Sequence, residues 1–469
     1  MNDRSLAGPY TATWDSLSTH PIAPWFADAK FGIYFHWGIY SVPAFLNEWY
    51  SRNMYQPGAA EYEHHRATYG PTSEFGYKDF IPAFTAEHFD PDEWADLIVK
   101  AGARYAGPVA EHADGFAMWD SKLTEWNAAR MGPKRDIVGE VARAVRARGL
   151  KFYCSFHHQW LWAWYPTDDP SVDCGRPEFS GLYGPPAPAS GFYPDNNPRP
   201  TLAFNDLWLA KVNEVVDLYQ PDEIYFDSRM FILEEDHRRR MLEHYYNSAA
   251  AWGRDVTVTS KDNDLAPGCG VIDVERGRMT EIQPLPWQTD DSIDLGTWCD
   301  IRPPNYKSAT RLVHDLVDIV SKNGNYLLNI TPTAQGIIPD PVRERLLAMG
   351  EWLRVNGEAI YSTRPWESFG EGPTEMTGGH FGTIPDFTAE DIRFTTKGDA
   401  LYAITCGWPG AEVTIKSLPA GRKLSFGDIA DVRLLGIDQP LQFTRDERGL
   451  TVQLPSKRAC DHAFVLKMT

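Results

Sequence analysis

Short apolar runs bounded by glycine, proline and polar residues alternate along this chain with longer stretches whose apolar residues recur every three or four positions. The first run lies in Lys30-Phe-Gly-Ile-Tyr-Phe-His-Trp-Gly38 and predicts a buried strand ending at His36. A helix start follows at Asp90-Pro-Asp-Glu-Trp94, with Asp as cap, Pro at the first helical position and Glu three residues past the cap. Trp94, Leu97, Ile98 and Ala101 form its apolar stripe, Gly102 stops it, and Arg104–Ala110 predicts a second strand running into Glu111-His112-Ala113-Asp114. The scheme then repeats. Ile137, Val138, Val141 and Val145 stripe a helix before the strand Lys151–Phe156, which ends at His157-His158. A helix from Leu207 to Tyr219, halted by Pro221, precedes the strand Glu223–Phe226, which delivers Asp227 at its carboxyl end. Runs at Asp255–Ser260 and Gly270–Val274 end at Lys261 and Glu275. A less regular seventh unit holds Trp287-Gln-Thr and Trp298, and the last pairs a helix at Leu312–Val320 with the strand Asn325–Ile330.

Strand alternating with helix about eight times predicts a parallel sheet closed as a (β/α)8-like barrel, over residues 1–360. Active sites of such barrels lie at the carboxyl ends of the strands. Six predicted ends carry ionisable or hydrogen-bonding residues: His36, Glu111/His112, His157/His158, Asp227, Lys261 and Glu275. After a helix near 341–356 the pattern changes to short alternating runs such as Leu401–Thr405, Glu412–Lys416 and Leu450–Leu454, joined by Gly- or Pro-containing turns. That predicts a C-terminal β-sandwich over 367–469.

Composition narrows the function classes. A length of 469 residues calls for a large domain plus a smaller one, and the 43% hydrophobic, 23% charged make-up is that of a folded globular protein. The net charge of −19, without any dense Lys/Arg run, opposes a nucleic-acid partner. No window of about 18 apolar residues exists, so no membrane span is expected. The opening residues lack the apolar core of a secretory signal, which points to the cytoplasm. Six scattered cysteines, none in a C-x-x-C pair, fit free thiols in a reducing compartment. An aromatic share of 13% exceeds what a core this size needs, and surplus Trp and Tyr line sites that stack on the C–H faces of sugars. The pattern carries no signal for oligomeric state.

Asp227 and Glu275 terminate non-adjacent strands that share one mouth, and glycoside hydrolysis requires such a pair, one carboxylate attacking or activating water and the other protonating the leaving oxygen. Metal-assisted hydrolysis is the competing chemistry. His36-Trp-Gly lacks the His-x-His pairing common in barrel metal sites, and of the adjacent His157 and His158 only one faces the mouth, so neither metal nor organic cofactor is expected.

The segments KFGIYFHWGIYSVPAFLNEWY, EHADGFAMWDSKLTEWN, GPKRDIVGEV, DEIYFD, DVERG and SKNGNYLLNITPTAQGIIPD, in this order between about Trp25 and Trp366, resemble the α-L-fucosidases of glycoside hydrolase family 29. The resemblance implies a retaining mechanism on fucosylated oligosaccharides or glycoconjugates, with Asp227 as nucleophile and Glu275 as acid/base. It further implies substrate contacts from His36, Glu48, Trp49, Glu111, His112, Ala113, His157, Tyr225, Lys261 and Trp298. One position departs from the family: Ala113 stands where a second histidine is common, which predicts weakened turnover. An inactive or glycan-binding homologue, and a glycosidase for another galacto-configured or deoxy sugar, remain alternatives. The Arg276-Gly277 context and the Trp287-Gln-Thr segment resemble the branch restricted to α-1,3/1,4 linkages.

Overall fold

Residues two apart along each of the first eight strands face the same side, and this period organises the barrel. The structure, a computed structural model, describes residues 8–187, 199–261, 264–424 and 427–469. Strands β1 (Phe31–Phe35), β2 (Tyr105–Glu111), β3 (Lys151–Phe156), β4 (Glu223–Phe226), β5 (Thr257–Lys261), β6 (Val271–Asp273), β7 (Trp287–Ser292) and β8 (Gly324–Ile330) pair in sequence order. All pairings are parallel, and β8 returns to β1 to close the barrel. Tyr34, Tyr105, Tyr153 and Tyr225 cluster with Val109 and Leu327. Gly32 on β1 makes room for this cluster, since a Cβ there would meet the Tyr105 ring at 2.3 Å.

The outer wall is built from amphipathic helices α1 (Pro91–Lys100), α2 (Ile137–Ala147), α3 (Leu202–Tyr219), α4 (Glu235–Trp252), α5 (Ala309–Ser321) and α6 (Asp340–Asn356). Asp90 caps α1 by accepting from the N–H groups of Asp92 and Glu93; Asp136, Thr201 and Ser308 cap α2, α3 and α5 in the same way. Each such cap contributes about 1 kcal/mol. The eightfold alternation is incomplete. Among the described residues no helix separates β5 from β6 or β6 from β7, and Ala23 and Phe26 from the N-terminal segment pack on Val271 instead. The seventh unit, irregular by sequence, is a fully buried six-residue strand.

Beyond α6 lie β9 (Arg364–Glu371), β10 (Ile392–Lys397), β11 (Ala400–Thr405), β12 (Glu412–Ile415), β13 (Val432–Leu434), β14 (Phe443–Asp446), β15 (Gly449–Gln453) and β16 (Phe464–Met468). They form a five-stranded antiparallel sheet, ordered β13-β16-β11-β10-β9, and a three-stranded one, β12-β15-β14. Alternation along β11 shows how the larger sheet is used. Leu401 and Ala403 join the core between the two sheets, while Ala400, Tyr402 and Ile404 join the barrel's own core. The contact also holds a buried ion cluster: Asp318 of α5 accepts from Lys322 Nζ at 2.9 Å and from Arg393 Nε of β10 at 2.7 Å. Among the described residues no helix is long and apolar enough to cross a membrane.

Candidate active site

The two-residue period carries a column of inward side chains from the barrel interior out to the mouth. On β4 the inward positions are Glu223 and Tyr225, and the next is Asp227; continuing the period past β5, β6, β1 and β3 brings up Lys261, Glu275, His36 and His157 in turn. These residues meet in a cavity of about 580 Å³, walled further by Glu48, Trp49, His112, Ala113, Asp290 and Trp298.

Lys261 is the centre of its electrostatics. Its ammonium group, buried, donates to Asp227 Oδ1 at 2.7 Å and to Glu275 Oε2 at 2.6 Å, and Asp290 Oδ2 lies 3.8 Å away. The two bonds together place those carboxylate oxygens no more than 5.3 Å apart. Separations of about 5–5.5 Å belong to retaining glycosidases, whereas inverting enzymes need about 6.5–9.5 Å to admit a water. His157 Nδ1 lies 3.3 Å from Asp227 Oδ2, and the Gln159 side chain donates to the Asp227 carbonyl at 2.6 Å, so both ends of this residue are fixed.

The two acids are driven in opposite directions. Burial raises Asp227, but the Lys261 charge and the His157 hydrogen bond outweigh it and hold the carboxyl well below its ordinary range. Glu275 is pushed up to about 7, chiefly by burial, with the charges of Asp290 and Asp227 adding to the rise and Lys261 opposing it. One carboxylate is thus ionised while its partner keeps a substantial protonated fraction near neutrality, the division that acid/base and nucleophilic roles require.

Three imidazoles, His36, His112 and His157, also line the cavity. His36 is fixed by Asn329, whose Oδ1 lies 2.8 Å from the His36 backbone N–H and 2.9 Å from Nδ1. Burial first, then their neighbours' charges, push His36 and His112 well below the usual histidine range, so both are neutral. One nitrogen from each of His36, His112 and His157 lies within 4.8 Å of the others, and this trio is the residue group placed to hold a metal ion among the described residues. A zinc ion bonded at about 2.0–2.1 Å spans at most ~4.2 Å between two nitrogens, so the rings would have to draw inward.

Two expected contacts lie elsewhere. A bulge on β2, where Val109 pairs with Ser155 but Glu111 with Phe156, reverses the alternation at the strand end. Glu111 therefore faces outward and pairs with Lys211 of α3 at 2.6 Å, while His112 turns into the cavity. Tyr225 lies beneath the cavity rather than on its wall, its hydroxyl donating to Asp290 Oδ2 at 3.2 Å beside that of Tyr34 at 2.9 Å. Trp287 opens β7 at the end remote from the mouth, with its indole N–H on the Lys322 carbonyl, so it touches nothing in the cavity. His158 also faces outward, against Trp208.

Sequence reasoning missed Asp290, because Trp287-Gln-Thr-Asp-Asp-Ser292 has the polarity of a loop; the inward alternation of Gln288, Asp290 and Ser292 was the signal available. It also missed Trp160 and Trp164, which pack around Trp49 with ring centroids 5.5 and 4.6 Å away and extend the aromatic wall.

The family model described as Alpha-L-fucosidase matches residues 2–358, and that of the alpha-L-fucosidase C-terminal domain matches residues 385–469. The chain belongs to the α-L-fucosidase family. Human tissue alpha-L-fucosidase is 31% identical over 98% of this chain and 92% of its own length, and rat plasma alpha-L-fucosidase is 33% identical over 98% and 94%. The crystal structure of Thermotoga maritima alpha-fucosidase in complex with fucose superposes with a TM-score of 0.79 at 32% identity, covering 98% of this chain and all of that one. As an α-L-fucosidase the chain is a glycoside hydrolase that releases α-L-fucose from fucosylated glycans with retention of configuration.

Proposed function

We propose that Asp227 is the nucleophile and Glu275 the acid/base of this retaining α-L-fucosidase. The observation that carries the assignment is the Lys261 bridge between two carboxyls driven in opposite directions, one oxygen of each lying no more than 5.3 Å from the other. Asp227 attacks the anomeric carbon as the C–O bond to the leaving group breaks, and Glu275 gives its proton to the departing oxygen. Glu275, now a carboxylate, takes a proton from water, whose oxygen displaces Asp227 and frees fucose. Lys261 holds Asp227 ionised for its attack and stabilises it again as the carboxylate that leaves in the second step. His36, His112, His157 and Glu48 are placed to bind the fucose hydroxyls, with Trp298 and Trp49 offering apolar faces to the ring.

Separate apolar cores in the barrel and between the two C-terminal sheets support a catalytic unit over residues 1–360 and a second unit over 367–469. Six unpaired cysteines fit a reducing compartment such as the cytoplasm. The test of the catalytic assignment is trapping with a 2-fluoro-fucosyl fluoride followed by peptide mapping. A label on the peptide bearing Asp227 is expected; a label on any other carboxylate refutes the assignment.

A further inference from the structure

The loop that carries Glu275 is held by a distant part of the chain. Residues 379–381, which lie between β9 and β10, run beside 275–278: Gly379 N–H donates to the Arg278 carbonyl at 2.9 Å, and Phe381 N–H to the Glu275 carbonyl at 2.9 Å. In return the Glu275 N–H donates to His380 Nδ1 at 3.0 Å. The approach is so close that a Cβ at Gly277 would lie 2.0 Å from the Gly379 carbonyl oxygen. Phe381 sits at the tip of this strap with φ of +53°, a left-handed conformation that an aromatic residue adopts only when its surroundings impose it. Its ring lines the active-site cavity and is 65% exposed.

We infer that Phe381 is the platform for the leaving-group sugar, so that the C-terminal part of the chain supplies the subsite next to the fucose pocket. The inference rests on Glu275 being the acid. A group that protonates the departing oxygen must face the leaving group, and the residues backing that acid then border the leaving group rather than the fucose. Phe381 is hydrogen-bonded directly to Glu275, and Leu295, 53% exposed, also faces the cavity. Exposed apolar side chains at the lip of a polar cavity match the C–H face of a pyranose. Arg276, stacked 4.5 Å over Trp298 and donating to the carbonyls of Asp294, Leu295 and Thr297, ties Leu295 to the same loop. The occupant is therefore a second glycosyl unit, a hexose or N-acetylhexosamine bearing the fucose.

The experiment compares Phe381→Ala, Phe381→Tyr and Glu275→Ala on two donors, a fucosylated disaccharide and α-L-fucosyl fluoride. Fluoride is too small to reach Phe381 and departs without a proton. Phe381→Ala is expected to lower kcat/KM on the disaccharide about five- to tenfold, a stacking-sized loss, and to leave fucosyl fluoride within twofold. Phe381→Tyr, which keeps the ring, should restore the disaccharide rate. An equal loss on both donors, or no loss on either, overturns the platform. Glu275→Ala reports separately on the acid through kcat/KM, which reads the first step alone: a selective loss on the disaccharide upholds its role, and equal losses of kcat/KM on both donors refute the catalytic assignment whatever Phe381 does.

Discussion

Replacing Lys261 by methionine removes one positive charge and keeps an unbranched chain only one atom shorter, which makes it a direct probe of the electrostatics assigned to this site. Lys261 contacts Asp227 and Glu275 at 2.7 and 2.6 Å, and each of the two carboxylate side chains keeps 18% of its surface open to solvent. Unit charges about 4 Å apart interact by ~4 kcal/mol at an effective dielectric of ~20, equivalent to ~3 pKa units. Solvent at the open side of the cavity reduces this to about 1–2 units. The sign follows from the charge: without the ammonium group both carboxyls hold their protons to higher pH. With the roles proposed above, wild-type activity needs Asp227 ionised and Glu275 protonated, so it is expected to fall on the alkaline side as pH rises through about 7 and on the acid side only well below the ordinary carboxylate range. Lys261→Met should move both limbs of the kcat/KM profile upward by at least about 1 unit and lower its maximum ~100-fold or more, as loss of a preorganised charge does in other sites. Lys261→Arg, which keeps the charge, should leave the limbs close to the wild-type positions. The assay is a pH–rate profile on an aryl α-L-fucoside. A methionine variant whose limbs stay in place would show that Lys261 does not set the protonation of the pair.

Two further outcomes are expected. Ala113 is buried on the cavity wall beside His112, and restoring an imidazole there should raise kcat/KM on aryl fucosides roughly ten- to a hundredfold, the value of ~1–3 kcal/mol for a hydrogen bond to a substrate hydroxyl; unchanged or lower turnover in Ala113→His refutes the reading of a missing ligand. Arg393→Met removes the 2.7 Å hydrogen bond to Asp318 and leaves that carboxylate paired with Lys322 alone in a buried site, and thermal unfolding should show a loss of about 1.5–3 kcal/mol; an unchanged stability refutes a role for this bond in joining the sheet to the barrel.

The barrel and most of its mouth were legible because strand ends and the two-residue period are local properties. Asp227, Lys261 and Glu275 each close a short run rich in β-branched or aromatic residues, and that run alone fixes which end they occupy. Glu111 was misread because a single-residue bulge leaves no mark in the polarity pattern yet reverses every side chain after it. Asp290 escaped for a different reason. Its strand is polar because Asp291 on the outward side is bonded to Lys307 and lies 3.6 Å from Arg278, while Gln288 and Asp290 answer the tyrosine hydroxyls within. Burial by paired charge looks like exposure when only hydrophobicity is read. Phe381 was invisible altogether, since its place against Glu275 depends on a contact across more than a hundred residues.

The larger C-terminal sheet also bears on how the enzyme matures. Strand β16 lies between β11 and β13, so the sheet stays open at its middle until this stretch, which follows both partners in the chain, has been threaded into place. The barrel can collapse around its tyrosines well before then, with every acid and imidazole already made. What it lacks until residues 379–381 are seated is the brace on the Glu275 loop, so a loop at the barrel mouth takes its support from the connection between two strands of the neighbouring sheet.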